Sequence, residues 1–308
     1  MRKLLDKLRG WVREREFVYL YLRSPLALIA TVFVLITLGG ALFAPLLVST
    51  DPYDPATYSL MDGFMPPAWQ EAGDERFILG TDDQGRDMLA SILYGARLSV
   101  GIAASAMLIA TVVGVTIGLI AGYYGGWFDS VFMRIADIQL SLPAILTALL
   151  IDGIARSLLP SAQQNEFRVA VIITAIALSL WVNFARTTRA AVFVERSKEY
   201  VQSGEIMGEH PVRVLVVQIL PNVLAPLLVI MTVDLGRAIL LEATLSFLGV
   251  GLPANAPSLG TLIRIGMDYL FSGEWWILWL PTLFLVALVV SVNLLGDFLR
   301  DVFNPRLR

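Results

Sequence analysis

The chain has 308 residues, of which 56% are hydrophobic and only 16% are charged, and its mean hydropathy is +0.70. An average soluble domain is roughly 25% charged, and a soluble fold of this length has too little interior to bury so much apolar surface. We therefore expect an all-α membrane protein. The net charge of −3 indicates no particular partner, and the absence of cysteine excludes disulfide frameworks and thiolate metal sites.

Six apolar segments, taken in chain order, predict six transmembrane helices. A helix needs about 20 mostly apolar residues to cross about 30 Å of hydrocarbon. The segments are residues 26–48, 98–122, 138–159, 169–185, 219–247 and 276–295. The third carries Asp152 and Arg156, and the fifth carries three ionisable residues, so these two are the least ordinary. The first is too long for a signal-peptide core and lacks a convincing cleavage site, which predicts an uncleaved anchor.

The distribution of lysine and arginine predicts the orientation, because cytoplasmic loops carry an excess of both. With the N-terminus inside, sixteen basic residues fall on the cytoplasmic side and six outside, and Arg237 stays within a span. The inner set is Arg2, Lys3, Lys7, Arg9, Arg13, Arg15, Arg23, Arg134, Arg186, Arg189, Arg196, Lys198, Arg213, Arg300, Arg306 and Arg308. The outer set is Arg76, Arg86, Arg97, Arg156, Arg168 and Arg264. Both termini are therefore expected to be cytoplasmic.

These expectations divide the chain into five parts. They are a cytoplasmic N-terminal segment (1–25), an anchor (26–48), an outer segment (49–97), a five-helix core (98–295) with a cytoplasmic loop at 186–218, and a cytoplasmic tail (296–308). Residues 249–275 form a second outer segment within the core.

The outer segment contains a polar turn rich in aspartate and glycine. Its residues are Gly80, Asp82, Asp83, Gly85, Arg86, Asp87 and Gly95. A helix–loop–helix calcium site wants oxygen ligands at alternating positions ending in glutamate, and the pattern does not continue in that way. We expect the aspartates to pair with Arg86 or to cap a helix that begins near Met88, with metal binding as the alternative. The acidic stretch 51–75 indicates a solvated loop, with an acidic docking surface as its alternative.

The cytoplasmic loop predicts two helices joined by a glycine turn. The first continues from the fourth span to Met207, and Gly208 breaks it. Pro211 suits the first position of a second short helix, since its missing N–H would be unpaired there anyway, and Pro221 is expected to interrupt that helix. Glu195 lies on one helix face with Lys198 and Glu199.

Apolar side chains on this loop can fill a groove on another protein. They are Ile206, Met207, Val212, Val214 and Leu215. The alternative is a hairpin at the membrane surface that only closes a loop.

The fifth span carries Asp234, Arg237 and Glu242. Ionisable residues at membrane depth usually face the bundle interior or a wet cavity. Asp234 and Arg237 are three residues apart and can neutralise each other, which leaves a structural ion pair and a pathway-lining role open. Glu242 is expected near the outer end of the span, within reach of water, where it either gates the pathway or caps a helix.

Nucleotide-binding and catalytic motifs are absent from the sequence. A P-loop requires a lysine that follows glycine, and none of Lys3, Lys7 and Lys198 does. There is no His-Glu-x-x-His or Gly-x-Ser-x-Gly motif, and His210 is the single histidine. We therefore expect no enzyme, no catalytic residue, no cofactor and no metal site in this chain, and the energy for any active process has to come from another polypeptide.

The cytoplasmic loop resembles the EAA loop of binding-protein-dependent ABC importers. The similarity lies in Glu199-Tyr-Val-Gln-Ser-Gly-Glu-Ile-Met-Gly208 followed by Ile219-Leu-Pro221-Asn222. The Glu-Ala-Ala triplet falls on Gln202, Ser203 and Gly204, with glutamine in place of glutamate. The resemblance implies a coupling helix that sits in a cleft of an ATPase. That coupling loop comprises Gln202, Ser203, Gly204, Glu205, Ile206, Met207, Gly208, Glu209, His210, Pro211 and Val212.

Further stretches resemble the second-permease branch of the dipeptide, oligopeptide and nickel permeases. They are residues 79–89 with 94–99, residues 118–127, residues 242–249, and residues 293–301 with 304–307. The first of them is similar to the periplasmic signature of that branch, here Gly80, Thr81, Asp82, Gly85, Arg86 and Asp87. The matches run in order from residue 79 to the end of the chain.

This resemblance implies the type I ABC importer permease fold in a bacterial inner membrane. It also implies a sibling permease, two ATPase subunits that hold the ATP and magnesium, and a periplasmic solute-binding protein that faces a scoop formed by the outer segment. The solute would be a peptide or a similar small molecule.

Two other functions compete with this interpretation. An ion-coupled secondary transporter acting alone would use Asp234, Arg237 and Asp152 as relay groups, but it would show broken helices at matched positions in two halves, and the sequence has no such symmetry. A membrane-embedded enzyme is disfavoured because the nucleophile and metal motifs are missing.

Overall fold

The computed structural model describes residues 19–158, 160–250, 252 and 256–303, without the side chains of residues 161–166, 225 and 303. The expectations for residues 1–18 and 304–308, which include eight of the sixteen inner basic residues and the match at 304–307, lie outside the described residues.

The described chain is helical. Its longer helices are α1 (Pro25–Leu42), α2 (Met88–Tyr124), α3 (Gly126–Ser141), α4 (Ala144–Leu158), α5 (Ser161–Arg196), α6 (Glu199–Ile206), α7 (Leu220–Phe247), α8 (Leu259–Asp268) and α9 (Trp275–Phe303). Short helical turns occur at residues 19–23 and at Ala44–Leu47, Pro55–Thr57, Leu60–Asp62 and Pro211–Arg213. A π-helix, Val214–Ile219, leads directly into α7. The β-structure in the described residues is one isolated bridge between Thr81 and Asp87.

Four helices, α1, α2, α5 and α9, are long and apolar enough to cross a membrane. Two bent helix pairs raise the number to six if each pair is one span. The first pair is α3 with α4, bent by 98°, and the second joins Pro211–Leu224 to Pro226–Phe247 at an angle of 60°. The structure therefore supports four to six crossings.

Helices α2 and α5 pack side by side along a row of glycines on α2. A Cβ atom at Gly114 would lie 2.4 Å from the carbonyl oxygen of Trp181, and one at Gly118 would lie 2.5 Å from that of Ala185. Small residues at this spacing let two helix backbones approach closely inside a membrane. The contacts advance along both helices in the same direction, so α2 and α5 are parallel. The chain between them must therefore return across the membrane, which favours the α3–α4 pair as one bent span.

The first and last long helices, α1 and α9, bring the two described chain ends to the same side. The ring centroids of Phe33 and Phe284 lie 6.0 Å apart, and those of Tyr21 and Phe298 lie 5.5 Å apart. Helix α1 is therefore antiparallel to α9. We call this side, where α2 and α5 end and α7 begins, the elbow side, and we call the other the opposite side.

The predicted third span, 138–159, is wrong as a single straight helix. The break falls at Leu142, whose backbone is extended (φ −98°, ψ 132°). Proline disfavours the helical conformation for the preceding residue, and Pro143 follows Leu142. Helix α3 also begins twelve residues before residue 138, at Gly126. Residue 159, the last of the predicted span, lies outside the described residues.

Several other boundaries differ from the prediction. Helix α2 begins at Met88, so the boundary predicted at residue 97 falls inside a helix. Helix α9 continues to Phe303, so most of the predicted tail is helical. Pro221, expected to interrupt a helix, lies at the start of α7, and the helical backbone continues through it from the π-helix. The chain bends instead at Pro226.

Candidate functional site

The elbow, defined here as residues 197–219, connects α5 to α7. The first helix ends at Arg196 and not at Met207 as predicted, and α6 follows after a short break. The chain then reverses at Gly208, which has a φ of +74°. The Glu209 N–H donates to the Gly204 carbonyl at 3.0 Å, and the Gly208 N–H donates to that of Glu205 at 3.1 Å. A left-handed residue that closes a helix in this way is usually glycine, so the predicted glycine turn is present.

Apolar side chains hold the base of the elbow in the protein core. Val201, Val214 and Ile219 are fully buried, and Leu215 is nearly so. The prediction that Val214 and Leu215 are exposed is therefore wrong. Both lie in the π-helix. Its i→i+5 hydrogen bonds change the number of residues per turn, so the side chains that face inward differ from those expected for an α-helix.

A polar contact closes the elbow on itself. The Gln218 Nε2 atom donates to the Glu209 carboxylate at 2.8 Å. A Cβ atom at Gly204 would lie 2.8 Å from that same Nε2 atom. Gly204 is therefore the point at which α6 lies directly against the start of the next span, and a larger residue would push the two apart.

A second polar contact connects the elbow to α5 and α7. The Tyr200 hydroxyl donates to the Glu195 carboxylate and accepts from the Asn222 side chain at 3.0 Å. Burial and the hydrogen bond to Glu195 raise the pKa of Tyr200 to about 12, so the hydroxyl keeps its proton at neutral pH. Lys198 pairs with Glu195 at 2.7 Å, as the spacing of these residues predicted, and Glu199 does not join this pair.

The tip of the elbow is apolar and exposed. The exposed fractions are 87% for Ile206, 73% for Met207 and 55% for Val212. Of the other predicted coupling residues, Gln202, Ser203, Glu205, Gly208 and His210 are exposed, Glu209 and Pro211 are half-buried, and Gly204 is buried. A rigidly held tip with bare apolar side chains has the form of a surface that docks into a groove on another protein.

The outer signature differs from the exposed tip of the elbow, because its central ion pair is buried. Arg86 Nε lies 2.5 Å from Asp82 Oδ2, and their side chains are 0% and 1% exposed. The other carboxylate oxygen of Asp82 accepts from the backbone N–H groups of Gln84 and Arg86 at 2.9 Å. The predicted pairing of an aspartate with Arg86 is present. A buried, hydrogen-bonded pair of this kind fixes the loop and leaves no free charge for a partner.

The glycines of the outer signature are required by their neighbours. Gly80 and Gly85 have φ values of +80° and +79°. A Cβ atom at Gly85 would lie 2.0 Å from the Ser59 carbonyl oxygen. The Thr81 carbonyl accepts from the Trp276 indole N–H at 2.9 Å, which connects the signature to the start of α9.

The remaining aspartates of the turn have different environments. Asp87 caps α2 by accepting from the Leu89 N–H at 3.0 Å, as predicted. Asp83 neither caps a helix nor pairs with Arg86; burial, and then the charge of Asp82, raise its pKa. Among the described residues, no group of three or more acidic, histidine or cysteine side chains is arranged to hold a metal ion.

The fifth span contains the predicted Asp234–Arg237 pair. The Arg237 Nη1 atom lies 3.0 Å from Asp234 Oδ1, and Asn183 on α5 donates to the other carboxylate oxygen at 3.4 Å. Asp234 is 2% exposed, but Arg237 is 63% exposed. Both line a cavity of 440 Å³ together with Arg186 and Arg300. Sequence spacing did not predict these two arginines as neighbours of Arg237, because they lie on other helices.

Glu242 differs from the prediction that water reaches it. It is fully buried between α2, α7 and α8, and one of its carboxylate oxygens accepts from the Ser246 hydroxyl at 2.7 Å. The hydroxyls of Ser99 on α2 and Ser258 before α8 also lie beside the carboxylate. Glu242 does not cap α8, whose N-cap is Ser258. The structure thus places it in the helix packing, apart from the cavity that contains Asp234.

The chain is similar to known proteins over nearly its whole length. The family described as "Binding-protein-dependent transport system inner membrane component" matches residues 114–308. The dipeptide transport system permease protein DppC of Haemophilus influenzae is 36% identical over 294 residues, which cover 96% of this chain and 95% of that protein. The di/tripeptide transport system permease protein DppC of Pseudomonas aeruginosa is 37% identical over 96% of this chain and 92% of its own length. The corresponding Escherichia coli protein is 38% identical over 96% and 93%.

The family match covers more than half of the chain, and the relatives span nearly all of it. The chain belongs to the family of inner membrane components of binding-protein-dependent transport systems.

Proposed function

We propose that this chain is one permease half of an ATP-driven importer for di- or oligopeptides. The relatives carry dipeptide and di/tripeptide transport in their names, and the chain has no nucleotide-binding motif of its own. The observation that carries the proposal is the elbow, which the core holds firmly at its base and which exposes Ile206 and Met207 at its tip. We assign the tip to a cleft in a partner ATPase.

The elbow side is assigned to the cytoplasm, and both termini with it. Eight described basic residues belong to this side, namely Arg23, Arg134, Arg186, Arg189, Arg196, Lys198, Arg213 and Arg300. Six belong to the opposite side, and one of these, Arg86, is neutralised inside the outer signature. Basic residues accumulate on the cytoplasmic side of membrane proteins, so this distribution supports the assignment.

Three partners follow from the exposed surfaces. The elbow tip contacts one of two ATPase subunits, which hold the ATP and magnesium. Arg237 is largely exposed within an apolar span, and a charge at that depth faces a wet cavity or a neighbouring subunit. We assign this face to a pathway shared with a sibling permease. On the opposite side, Met61 and Phe271 are 96% and 97% exposed, and such bare apolar side chains suit contact with a periplasmic solute-binding protein.

The mechanism uses the continuity between the elbow and α7. Closure of the two ATPases on ATP displaces the tip. Because Val214–Ile219 runs without a break into α7, this displacement rotates the first turns of α7 about the bend at Pro226. Helices α2 and α5 stay together through their close backbone contact. The relative rotation changes which side of the membrane the pathway opens to, so that solute released by the binding protein enters.

The test is Gly208→Pro in the complete transporter. Proline cannot adopt a φ of +74°, so the elbow loses its turn. We expect ATP-driven uptake of a labelled dipeptide into proteoliposomes to fall to background while the amount of inserted protein stays the same. Deletion of residues 205–212 should have the same effect.

The matched control is Gly208→Asn. Asparagine tolerates the left-handed φ that this turn requires, and a Cβ atom added at Gly208 would have no described neighbour within 4 Å, so the turn is kept. This variant should retain uptake. Unchanged uptake in Gly208→Pro would contradict the proposal, as would uptake by the purified single chain under an ion gradient.

A further inference from the structure

The cavity around Arg237 opens between four helices on the elbow side. It has a volume of 440 Å³, and its walls come from α3, α5, α7 and α9. Its charged lining groups are Asp234, Arg237, Arg186 and Arg300. Three guanidinium groups therefore face one carboxylate across a space large enough for a small solute.

The guanidinium groups are only partly neutralised. Arg237 pairs with Asp234 through one nitrogen, and Arg186 pairs with Asp137 while its side chain stays 49% exposed. Arg300 has no carboxylate partner within 4 Å among the described residues. Each guanidinium has five N–H donors in a planar fork, so most donors stay available. With Asp137 included, the groups of the cavity still carry one excess positive charge.

The charged groups of the cavity lie on helices that are otherwise apolar, and lipid tails are an unfavourable neighbour for such charges. A Cβ atom at Gly236 on α7 would lie 2.4 Å from the Asn293 side chain, and one at Gly296 would lie 3.1 Å from that of Thr232. The charged turn of α7 thus lies beside the last apolar turns of α9. Helical side chains lean toward the helix N-terminus, so Arg237 reaches back toward the elbow side and into the cavity.

We propose that this cavity binds an oxyanion, the carboxylate of the transported solute, with Arg237 as its principal ligand. The inference rests on the proposed function. Guanidinium and carboxylate match in a planar, bidentate geometry, and every peptide with a free C-terminus carries such a group. Arg186 and Arg300 add positive charge around the bound carboxylate.

The wall of the cavity is linked to the elbow. Val229, Ile230 and Val233 line it on the part of α7 that follows the bend at Pro226. The rotation assigned to ATP binding therefore pivots directly before this wall, so we expect it to alter the shape of the cavity and with it the affinity for the anion. The phosphate of an anionic lipid headgroup has the same chemistry and is the other source to be distinguished.

The experiment uses Val233→Cys, which adds one thiol at the cavity wall of a chain that contains no cysteine. The complete transporter is held in phosphatidylcholine nanodiscs, and modification of this chain is followed by mass spectrometry. An anionic and a cationic methanethiosulfonate reagent are compared, with a neutral one as the reference for access. We expect the anionic reagent to react faster.

Arg237→Gln should lower the ratio of anionic to cationic rates by about threefold to tenfold, because one nearby positive charge is removed. Arg134→Gln is the matched control, since Arg134 is an exposed arginine of α3 on the same side that does not line the cavity. It should leave the ratio unchanged. If Arg237→Gln fails to assemble, Arg300→Gln provides the same comparison.

A dipeptide with a free carboxylate should slow modification of the introduced thiol, whereas the same dipeptide with a C-terminal amide should not. This protection should disappear when Arg237→Gln is combined with Val233→Cys. Equal rates for the anionic and cationic reagents would overturn the proposal. Protection by added phosphatidylglycerol with none by dipeptide would overturn the assignment to solute and identify a lipid site.

Uptake of the same dipeptide by the unmodified transporter, measured in parallel, separates this inference from the proposed function. If the dipeptide is taken up but does not protect the thiol, only the carboxylate site is contradicted. If the dipeptide is neither taken up nor protective, the proposed peptide import is contradicted as well.

Discussion

The elbow and the outer signature are both built around glycines with positive φ, yet they face in opposite directions. A Cβ atom added at Gly85 would lie 2.0 Å from the Ser59 carbonyl oxygen, whereas a Cβ atom added at Gly208 would have no described neighbour within 4 Å. Arg86 is fully buried, whereas Ile206 is almost fully exposed. The outer signature thus packs against its own chain, whereas the tip of the elbow is the exposed surface that we propose for docking on another protein. Burial separates a motif that stabilises the fold from one that we propose to transmit force, although both motifs look alike in the sequence.

The largest effect is expected from Arg86→Ala, which tests the structural half of this comparison. Removing one partner of a buried ion pair leaves the other charge uncompensated and costs about 3–5 kcal/mol. We expect most of the folded transporter to be lost, as measured by thermal unfolding and by the amount recovered in detergent. Arg76→Ala is the control, because Arg76 also pairs with an aspartate but is 62% exposed; it should change little. Equal losses in the two variants would contradict a structural role for the buried pair.

An intermediate effect is expected from the double variant Ile206→Ser with Met207→Ser, which tests the docking half. Each apolar side chain that is buried in a partner contributes about 1.5–3 kcal/mol, so we expect at least about a tenfold loss of ATP-driven dipeptide uptake. Thermal stability of the permease should not change, since both side chains are exposed in the isolated chain. Replacing both residues by leucine keeps the apolar surface and should keep uptake. Full uptake by the serine variant would mean that the tip does not dock.

The smallest effect is expected from Asp83→Asn in the outer turn. Burial raises the pKa of Asp83, so its ionised form destabilises the folded state above the usual carboxyl pKa. The variant should therefore unfold about 1–2 °C higher at pH 7. The difference should vanish in acid, where Asp83 is protonated in both the folded and the unfolded protein.

Asp74→Asn provides a comparison of opposite sign in the same segment. A hydrogen bond from Arg76 lowers the pKa of Asp74, so its ionised form stabilises the fold above the usual carboxyl pKa, and this contribution disappears as the pH falls through the lowered value. Its removal should slightly lower the unfolding temperature at pH 7. Shifts of the same sign in both variants would contradict these assignments.

The structure supports four of the six predicted spans as single long helices, because each is a long apolar run, and has a bent helix pair at each of the other two. Hydropathy predicted several of the ends poorly. Helix α2 begins at Met88, as the capping aspartate predicted, but hydropathy placed the start of the span ten residues later. Polar residues such as Ser99 lie in this first part of the helix and are buried against α8, not in water. The Ser99 hydroxyl accepts from the Leu259 N–H, 160 residues away. Such contacts are invisible to local hydropathy. Pro143 indicated a helix break at Leu142, but the apolar residues on both sides of it made the segment read as one continuous span.

The functional surfaces were predictable where they depend on neighbouring residues. The turn at Gly208 and the exposed Ile206 and Met207 follow from spacing along one short segment. The burial of Val214 does not, because it depends on a π-helix. The arginine-lined cavity was not predictable at all, since it needs the relative positions of three helices far apart in the sequence.

The glycine-lined contact between α2 and α5 has a mechanical consequence. With the backbone of Gly114 and Gly118 against carbonyl groups of the neighbouring helix, these two helices cannot roll or slide past each other without losing contact over several turns. They behave as one rigid body, to which the elbow is attached through α5. In the proposed mechanism, motion of the tip then changes mainly the angle between that body and α7, so that access to the membrane interior depends on a single degree of freedom.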